Sequence, residues 1–278
     1  MGRVLLLLVA ASAAAQEKKI RLIVQGDDMG VARSVNEGTI HAYREGVMRS
    51  TNVIVPGAWF LDAVRMLNEN PALDVGVHLT LTSEWDRVKW RPMTAGRSFT
   101  DANGYFFPFV FPSKLGPALK EAPFRVEEIE AELRAQIETA RKHLPRVSYL
   151  SSHMGCTGVS EEVKAVLAKL SKEYQLPVPG TAGDGIERLR GIWTREMNAE
   201  QRGAAFAAKL EKLEPGTWLF VEHAALDTPE SRAMGHPTYE DVARDRQAVT
   251  DAWCDARVKA VIERRGIELS GHNRRMRK

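Results

Sequence analysis

Cysteine is scarce: the 278 residues hold two, Cys156 and Cys254. Two thiols cannot build a disulfide framework or a cysteine zinc cluster, although one bridge between them stays open in an oxidising compartment. Long apolar runs are lacking as well. The hydrophobic stretch Val4–Ala11 is too short to cross a bilayer as a helix, which excludes a multi-span membrane protein. Excess charge of one sign is also missing, since 39 Lys and Arg face 36 Asp and Glu for a net +3. Much of that surplus sits in Arg274, Arg275, Arg277 and Lys278, which read as a solvated tail. A polyanion binder would carry a concentrated basic face, so nucleic acid is not expected as a partner. With 44% hydrophobic and 27% charged residues and no internal repeat, the chain is neither disordered nor collagen-like.

Met1–Ala15 carries one positive charge, Arg3, then a short apolar run, then small residues with Ala13 and Ala15 in an A-x-A arrangement. That is the layout of a secretory signal peptide. The expectation is an exported, periplasmic or secreted protein cleaved after Ala15. Residues 16–278 would then form one catalytic domain with no membrane attachment.

Strand and helix signals alternate along that domain. Ile20–Gln25 is a short β-rich run ending at Gly26-Asp27-Asp28, and a helical stretch over Ser34–Glu45 stops at Gly46. Ser50–Val55 reads as a strand, Ala58–Glu69 as a helix, and Val75–Leu81 as the next strand. Residues 84–123 are rich in Pro, Gly, Trp and Phe with little periodicity, which predicts an irregular insertion serving as lid or cleft wall. Trp85, Trp90, Phe99, Tyr105, Phe106 and Phe107 there either stack on the rings of a ligand or pack the insertion onto the domain. A long amphipathic helix follows over Val126–Leu144, acidic early and basic late. Arg146–Ser151 is a strand, and Ser160 caps a helix running through Tyr174. Trp218–Val221 is a strand, Tyr239–Ala256 a helix that Val258–Arg264 continues, and Ile267–Ser270 a final strand. This alternation implies a parallel sheet covered by helices. An incomplete (β/α) barrel is the first choice and an open doubly wound sheet the second. Both place working groups at the carboxyl ends of strands.

The unusual polar residues fall at such ends. Asp27 and Asp28 end the first strand, His78 lies inside the third, His153 follows YLSS and His223 follows WLFVE. Singly, each has a bland explanation: a helix cap for the acid pair, a hydrogen-bonded core imidazole for each histidine. Their recurrence at equivalent positions points to one site. His41 and His143 read as surface residues, and His236 as a weaker candidate beside the site. One carboxylate and two imidazoles suit Zn²⁺ and also tolerate Mn²⁺, Co²⁺, Ni²⁺ or Fe²⁺. Three protein ligands leave room for water, and a bound divalent ion lowers the pKa of water from about 15.7 towards 7. A second carboxylate and a further imidazole complete the kit for amide hydrolysis. A metal-dependent phosphoesterase could use the same ligands, and a non-catalytic exported carbohydrate-binding protein is the alternative outside enzymes.

Five segments resemble, in order, the YdjC-like carbohydrate deacetylases. I-V-Q-G-D-D-M-G (Ile23–Gly30) is similar to that family's N-A-D-D-F-G segment, and G-V-H-L-T-L-T (Gly76–Thr82) to its G-x-H-L-x-L segment. Y-L-S-S-H-M-G (Tyr149–Gly155) resembles the segment ending in a metal histidine, and W-L-F-V-E-H-A (Trp218–Ala224) the E-x-x-x-H-P segment. R-D-R-Q-A-V-T-D (Arg244–Asp251) resembles a following Arg-rich helix. The resemblance implies a (β/α) barrel of the polysaccharide-deacetylase type that removes N-acetyl groups from amino sugars or their oligosaccharides. It implies Asp28, His78 and His153 as metal ligands, Asp27 as general base and His223 as general acid. The implied cofactor is one divalent ion, Zn²⁺ or Mg²⁺, and two imidazoles favour zinc on ligand softness. This chain departs from the pattern at Gln25-Gly26, Met29, Gly155 and Ala224, which border the substrate side.

Overall fold

In the computed structural model, which describes residues 19–275, the first apolar run becomes β1 (Ile20–Met29), with every residue but Arg21 buried. The Met1–Ala15 segment and its cleavage position lie outside the described residues. A strand buried on both faces belongs to the middle of a parallel sheet. The others are β2 (Ser50–Val53), β3 (Asp74–Leu79), β4 (Leu150–Ser152), β5 (Ile186–Arg188), β6 (Gly216–Glu222) and β7 (Glu268–Leu269). They run in the order β4-β3-β2-β1-β6-β5, all parallel. β7 pairs with β1 at Arg21 and Leu22, occupying the edge that β2 takes over from Gln25 onward. The sheet curls with β4 and β5 at its open ends, so the incomplete barrel expected from the sequence is the observed architecture.

Among the described residues seven α-helices cover it: α1 (Arg33–Arg44), α2 (Phe60–Asn68), α3 (Val126–His143), α4 (Glu161–Tyr174), α5 (Ala199–Leu210), α6 (Val242–Cys254) and α7 (Ala256–Arg264). α3 buries Ile129, Leu133, Ile137 and Ala140 at three- and four-residue spacing. The Ser160 hydroxyl accepts from the Val163 N–H at 3.3 Å and opens α4, as its cap position predicts. Three local expectations change. The helix read as continuing past Ala256 breaks at Asp255, where ψ is 131° and the carboxylate caps α7 by accepting from Arg257 N–H. β4 starts later than the expected Arg146–Ser151 and ends one residue beyond it, since its pairing with β3 begins only at Leu150 opposite Val77. β5 and α5 fall where the sequence reading names no element, although Asn198 and Gln201 form a capping box at the start of α5. Both cysteines are free, Cys156 buried and Cys254 half-buried.

Residues 84–123 carry one short helical turn, at Leu119–Glu121, and no named strand. Two α3 carboxylates hold this segment. Glu132, fully buried, accepts from the Met93 and Thr94 N–H groups, and Glu128 accepts from those of Arg97 and Ser98. Trp85, Trp90, Phe99 and Phe106 are buried, so most of the aromatic cluster packs the insertion down and leaves few faces for a ligand.

Candidate metal centre

Along an extended strand, neighbours point to opposite faces, so Asp27 and Asp28 would separate. Here β1 bulges. Gly26 pairs with Thr51 and Met29 with Val53, so the two aspartates oppose the single residue Asn52. Asp28 takes φ 77°, a left-handed conformation that costs a non-glycine residue about 1–3 kcal/mol. Both carboxylates thereby reach the same imidazole: His78 Nε2 lies 3.7 Å from Asp27 Oδ2 and 3.4 Å from Asp28 Oδ1. The bulge is what turns an Asp-Asp dipeptide into a paired site. Asn52 secures it, donating to Asp27 Oδ1 at 2.7 Å and accepting from the Asp28 N–H at 3.2 Å.

His78 comes from β3, and His153 from the tight turn after β4, where Met154 (φ 51°) and Gly155 (φ 70°) are left-handed. Asp28 Oδ1 is 3.2 Å from His153 Nδ1. Thus Asp28, His78 and His153, all buried, each offer one ligand atom within 4.8 Å of the others.

The remaining ring nitrogens fix the tautomers. Glu84 Oε2 sits 2.8 Å from His153 Nε2 and can only accept, so Nε2 carries a proton and, in the neutral imidazole that binds metal, Nδ1 presents a lone pair. Ser151 Oγ lies 2.7 Å from His78 Nδ1, accepts from Asn52 at 2.9 Å and donates to the Val77 carbonyl at 3.5 Å. The hydroxyl can accept from His78 Nδ1–H, and in that tautomer the Nε2 lone pair faces Asp28. Among the described residues, Asp28 Oδ1 is buried without a hydrogen-bond partner. Three acceptors aimed at one another repel unless a metal ion or an added imidazole proton lies among them. The donor set therefore fits a divalent metal, with the orientation of both imidazoles set by a carboxylate and a hydroxyl.

With no ion among them, the same groups balance charge by proton sharing. Burial pushes the Asp28 carboxyl up, but His223 and His153 beside it hold it well below the usual range. Burial pulls His153 down, yet the Glu84 and Asp28 carboxylates on its two sides raise it well above an ordinary imidazole. A buried guanidinium, Arg246 of α6, donates to Asp28 Oδ2 at 3.0 Å and leaves Oδ1 as the oxygen that faces the imidazoles.

The five residues singled out by sequence converge. Asp27, Asp28, His78, His153 and His223 line one cavity of about 360 Å³ with Glu84, Trp85, Met154, His236, Tyr239 and Arg246. His223 sits at its mouth, 3.7 Å from Asp28 Oδ2 with 40% of its side chain exposed. Desolvation in that crowded mouth, with the Arg246 guanidinium nearby, lowers its pKa against the pull of Asp28 and Asp27. His236 also lines the cavity, its ring stacked 5.9 Å from Trp85, and so joins the wall as the weaker candidate position suggested. His41 is exposed and His143 half-buried, away from the site. Sequence reasoning missed Glu84, Asn52 and Ser151. Glu84 had one visible signal, an acid directly after the His78 strand. Arg246 lay inside the Arg-rich segment without a role.

Comparison with known proteins follows the same lines. The chain is 34% identical over 233 residues to a carbohydrate deacetylase of Thermus thermophilus, covering 77% of this chain and 80% of that one. It is 30% identical over 229 residues to a carbohydrate deacetylase of Brevibacillus brevis, covering 81% and 84%. A crystal structure from Enterococcus faecalis, provisionally described as a cellobiose-phosphate cleavage protein, superposes with TM-score 0.75 at 24% identity over 91% of this chain and 97% of that one, which shows a shared fold. The pattern of the YdjC-like protein family matches residues 21–264, and on that match the chain belongs to this family.

Proposed function

We propose that this protein is a metal-dependent hydrolase that removes the N-acetyl group from an amino sugar or its oligosaccharides. The observation that carries the reading is the buried, unpartnered Asp28 Oδ1 facing one lone pair each of His78 and His153 beneath an open cleft. Relatives named carbohydrate deacetylases support the reaction class. Asp28, His78 and His153 would hold the ion, zinc in preference to magnesium because two of the ligands are imidazoles. When bound, the ion supplies Lewis acidity and brings water within reach of deprotonation near neutral pH.

The chain's own residues divide the proton transfers. Asp27 has Oδ1 tied down by Gln25 and Asn52, both at 2.7 Å, so Oδ2 is the oxygen left to act as base. It takes the proton of the water that attacks the acetyl carbon. His223, at the cleft mouth, gives a proton to the departing nitrogen as the C–N bond breaks, and acetate and a free amine leave. Its side chain, 40% exposed at the mouth, takes up a proton from solvent, and the lowered pKa makes that imidazolium the stronger acid toward the departing nitrogen.

The test combines metal analysis of the purified protein with acetate release from N-acetylated amino-sugar oligomers. Expected are one tightly held divalent ion, turnover lost together with metal in His78→Ala and His153→Ala, and Asp27→Asn that keeps metal yet loses most turnover. Release of phosphate from esters with no acetate would replace this reading by a phosphoesterase, and a metal-binding-null wild type would end it. The Met1–Ala15 segment extends the proposal to export, tested by whether the mature protein starts at Gln16.

A further inference from the structure

A buried histidine plays no part in the chemistry above. His272 follows β7, is 4% exposed, and lays its ring against Tyr149 with centroids 4.4 Å apart. Its backbone N–H donates to Asp74 Oδ2 at 2.7 Å. Gly271 before it lies so close to Asp74 that a Cβ there would come within 2.4 Å of the Asp74 side chain, which fixes where this segment enters the barrel. The ring therefore has little freedom.

His272 Nε2 lies 2.7 Å from Gln25 Oε1, and Gln25 Nε2 donates to Asp27 Oδ1, again at 2.7 Å. Gln25 and Asp27 are two residues apart on β1 and share a face. The two ends of an amide are alike in shape, so only the groups opposite them select its orientation. An ionised carboxylate can only accept. The Gln25 NH₂ must then face Asp27, its oxygen must face His272, and His272 Nε2 must carry a proton. Remove that proton and Nε2 becomes a second acceptor competing with Asp27 for the one Gln25 NH₂, and either orientation of the amide then sets two acceptors face to face.

We propose that His272 is a positioning residue for the hydrolytic reaction: through Gln25, His272 holds Asp27 with Oδ1 bound and Oδ2 free to work in the cleft. This rests on the reading of Asp27 as the base. Gln25 is one of the positions at which the chain departs from the segment it resembles, so the device is particular to this sequence rather than to the pattern.

The experiment compares Gln25→Met, His272→Phe, His272→Gln, the double variant Gln25→Met/His272→Phe and Asp27→Asn in acetate release, with bound metal measured for each. Both single apolar variants should lose kcat on the order of 10-fold to 100-fold with KM and metal content unchanged. His272→Gln, which still offers a donor, should recover most of the loss. The double variant should be no slower than Gln25→Met, since His272 acts on Asp27 through that amide. Additive losses, or wild-type kcat in Gln25→Met beside an inactive Asp27→Asn, overturn the proposal and leave the deacetylase reading intact. Wild-type turnover in Asp27→Asn overturns the base assignment and this proposal with it. A readout independent of turnover is heteronuclear NMR of the His272 ring in the wild-type protein. A protected proton on Nε2, whose protection Gln25→Met abolishes, supports the proposal, and a bare Nε2 overturns it.

Discussion

Glu84 offers the sharpest test of the metal centre, because it touches one proposed ligand and none of the proposed reacting groups. Its carboxylate lies 2.8 Å from His153 Nε2 in a setting where both side chains are nearly inaccessible, 4% and 7% exposed. It acts by fixing the tautomer that directs Nδ1 toward Asp28. A hydrogen bond to a charged group is worth about 1.5–3 kcal/mol net, which corresponds to roughly 10-fold to 150-fold in an affinity. Removal of such an outer partner of a metal histidine typically costs about 10-fold to 100-fold in metal affinity or activity, the same range. Glu84→Ala should therefore weaken divalent-ion binding by roughly 10-fold to 100-fold, and Glu84→Gln, whose amide oxygen still accepts from Nε2–H, by less. Titration of metal-stripped protein against a competing chelator measures the affinity. Acetate release across a range of metal concentrations should show turnover returning at high metal. Wild-type metal affinity in Glu84→Ala would refute the assignment of His153 Nδ1 as a ligand.

Three further outcomes follow from the geometry. Burial and the neighbouring Asp245 push the Glu222 carboxyl up to about 7. A raised carboxyl pKa stabilises the fold below the unfolded value and loses that contribution as pH rises through the folded value. Glu222→Gln should therefore leave the melting temperature near wild type at pH about 4.5 and raise it at pH about 8, and equal shifts at both would contradict the burial argument. Trp85 is 2% exposed, with its indole N–H lacking a hydrogen-bond partner and the Arg246 guanidinium 5.3 Å from its ring centroid. Trp85→Ala should cost about 3–5 kcal/mol in denaturant unfolding, whereas Trp85→Phe, which removes the unpaired donor, should cost far less. Glu132→Ala should release the start of the insertion, read as faster hydrogen exchange at Met93 and Thr94, whose N–H groups it now holds at 3.1 and 2.9 Å.

Much of this protein was legible before any coordinates. Apolar runs of strand length, alternating with amphipathic helices, dictate a covered parallel sheet, and a polar residue at the end of such a run is exposed to a cleft by that architecture. Asp27, Asp28, His78, His153 and His223 could be named for that reason. Elements without a periodic signature escaped: β5 is three residues long and half exposed, so no hydrophobic alternation marks it. The break between α6 and α7 escaped because a single aspartate cap at Asp255 makes it. The aromatics of the insertion could not be divided between packing and binding, since burial depends on Glu128 and Glu132 of a distant helix.

Sequence alone, then, determined the kinds of group at the site and the strands that deliver them, because side-chain chemistry and hydrophobic period are local properties. Only the tertiary structure decided how they act together. The bulge opposite Asn52 brings two adjacent aspartates to one face, and Glu84 and Ser151 choose which nitrogen of each histidine turns inward. His272 reaches Gln25 from 247 positions away. Hydrogen-bond direction and tautomer depend on partners brought close by the fold, and no spacing along the chain encodes them.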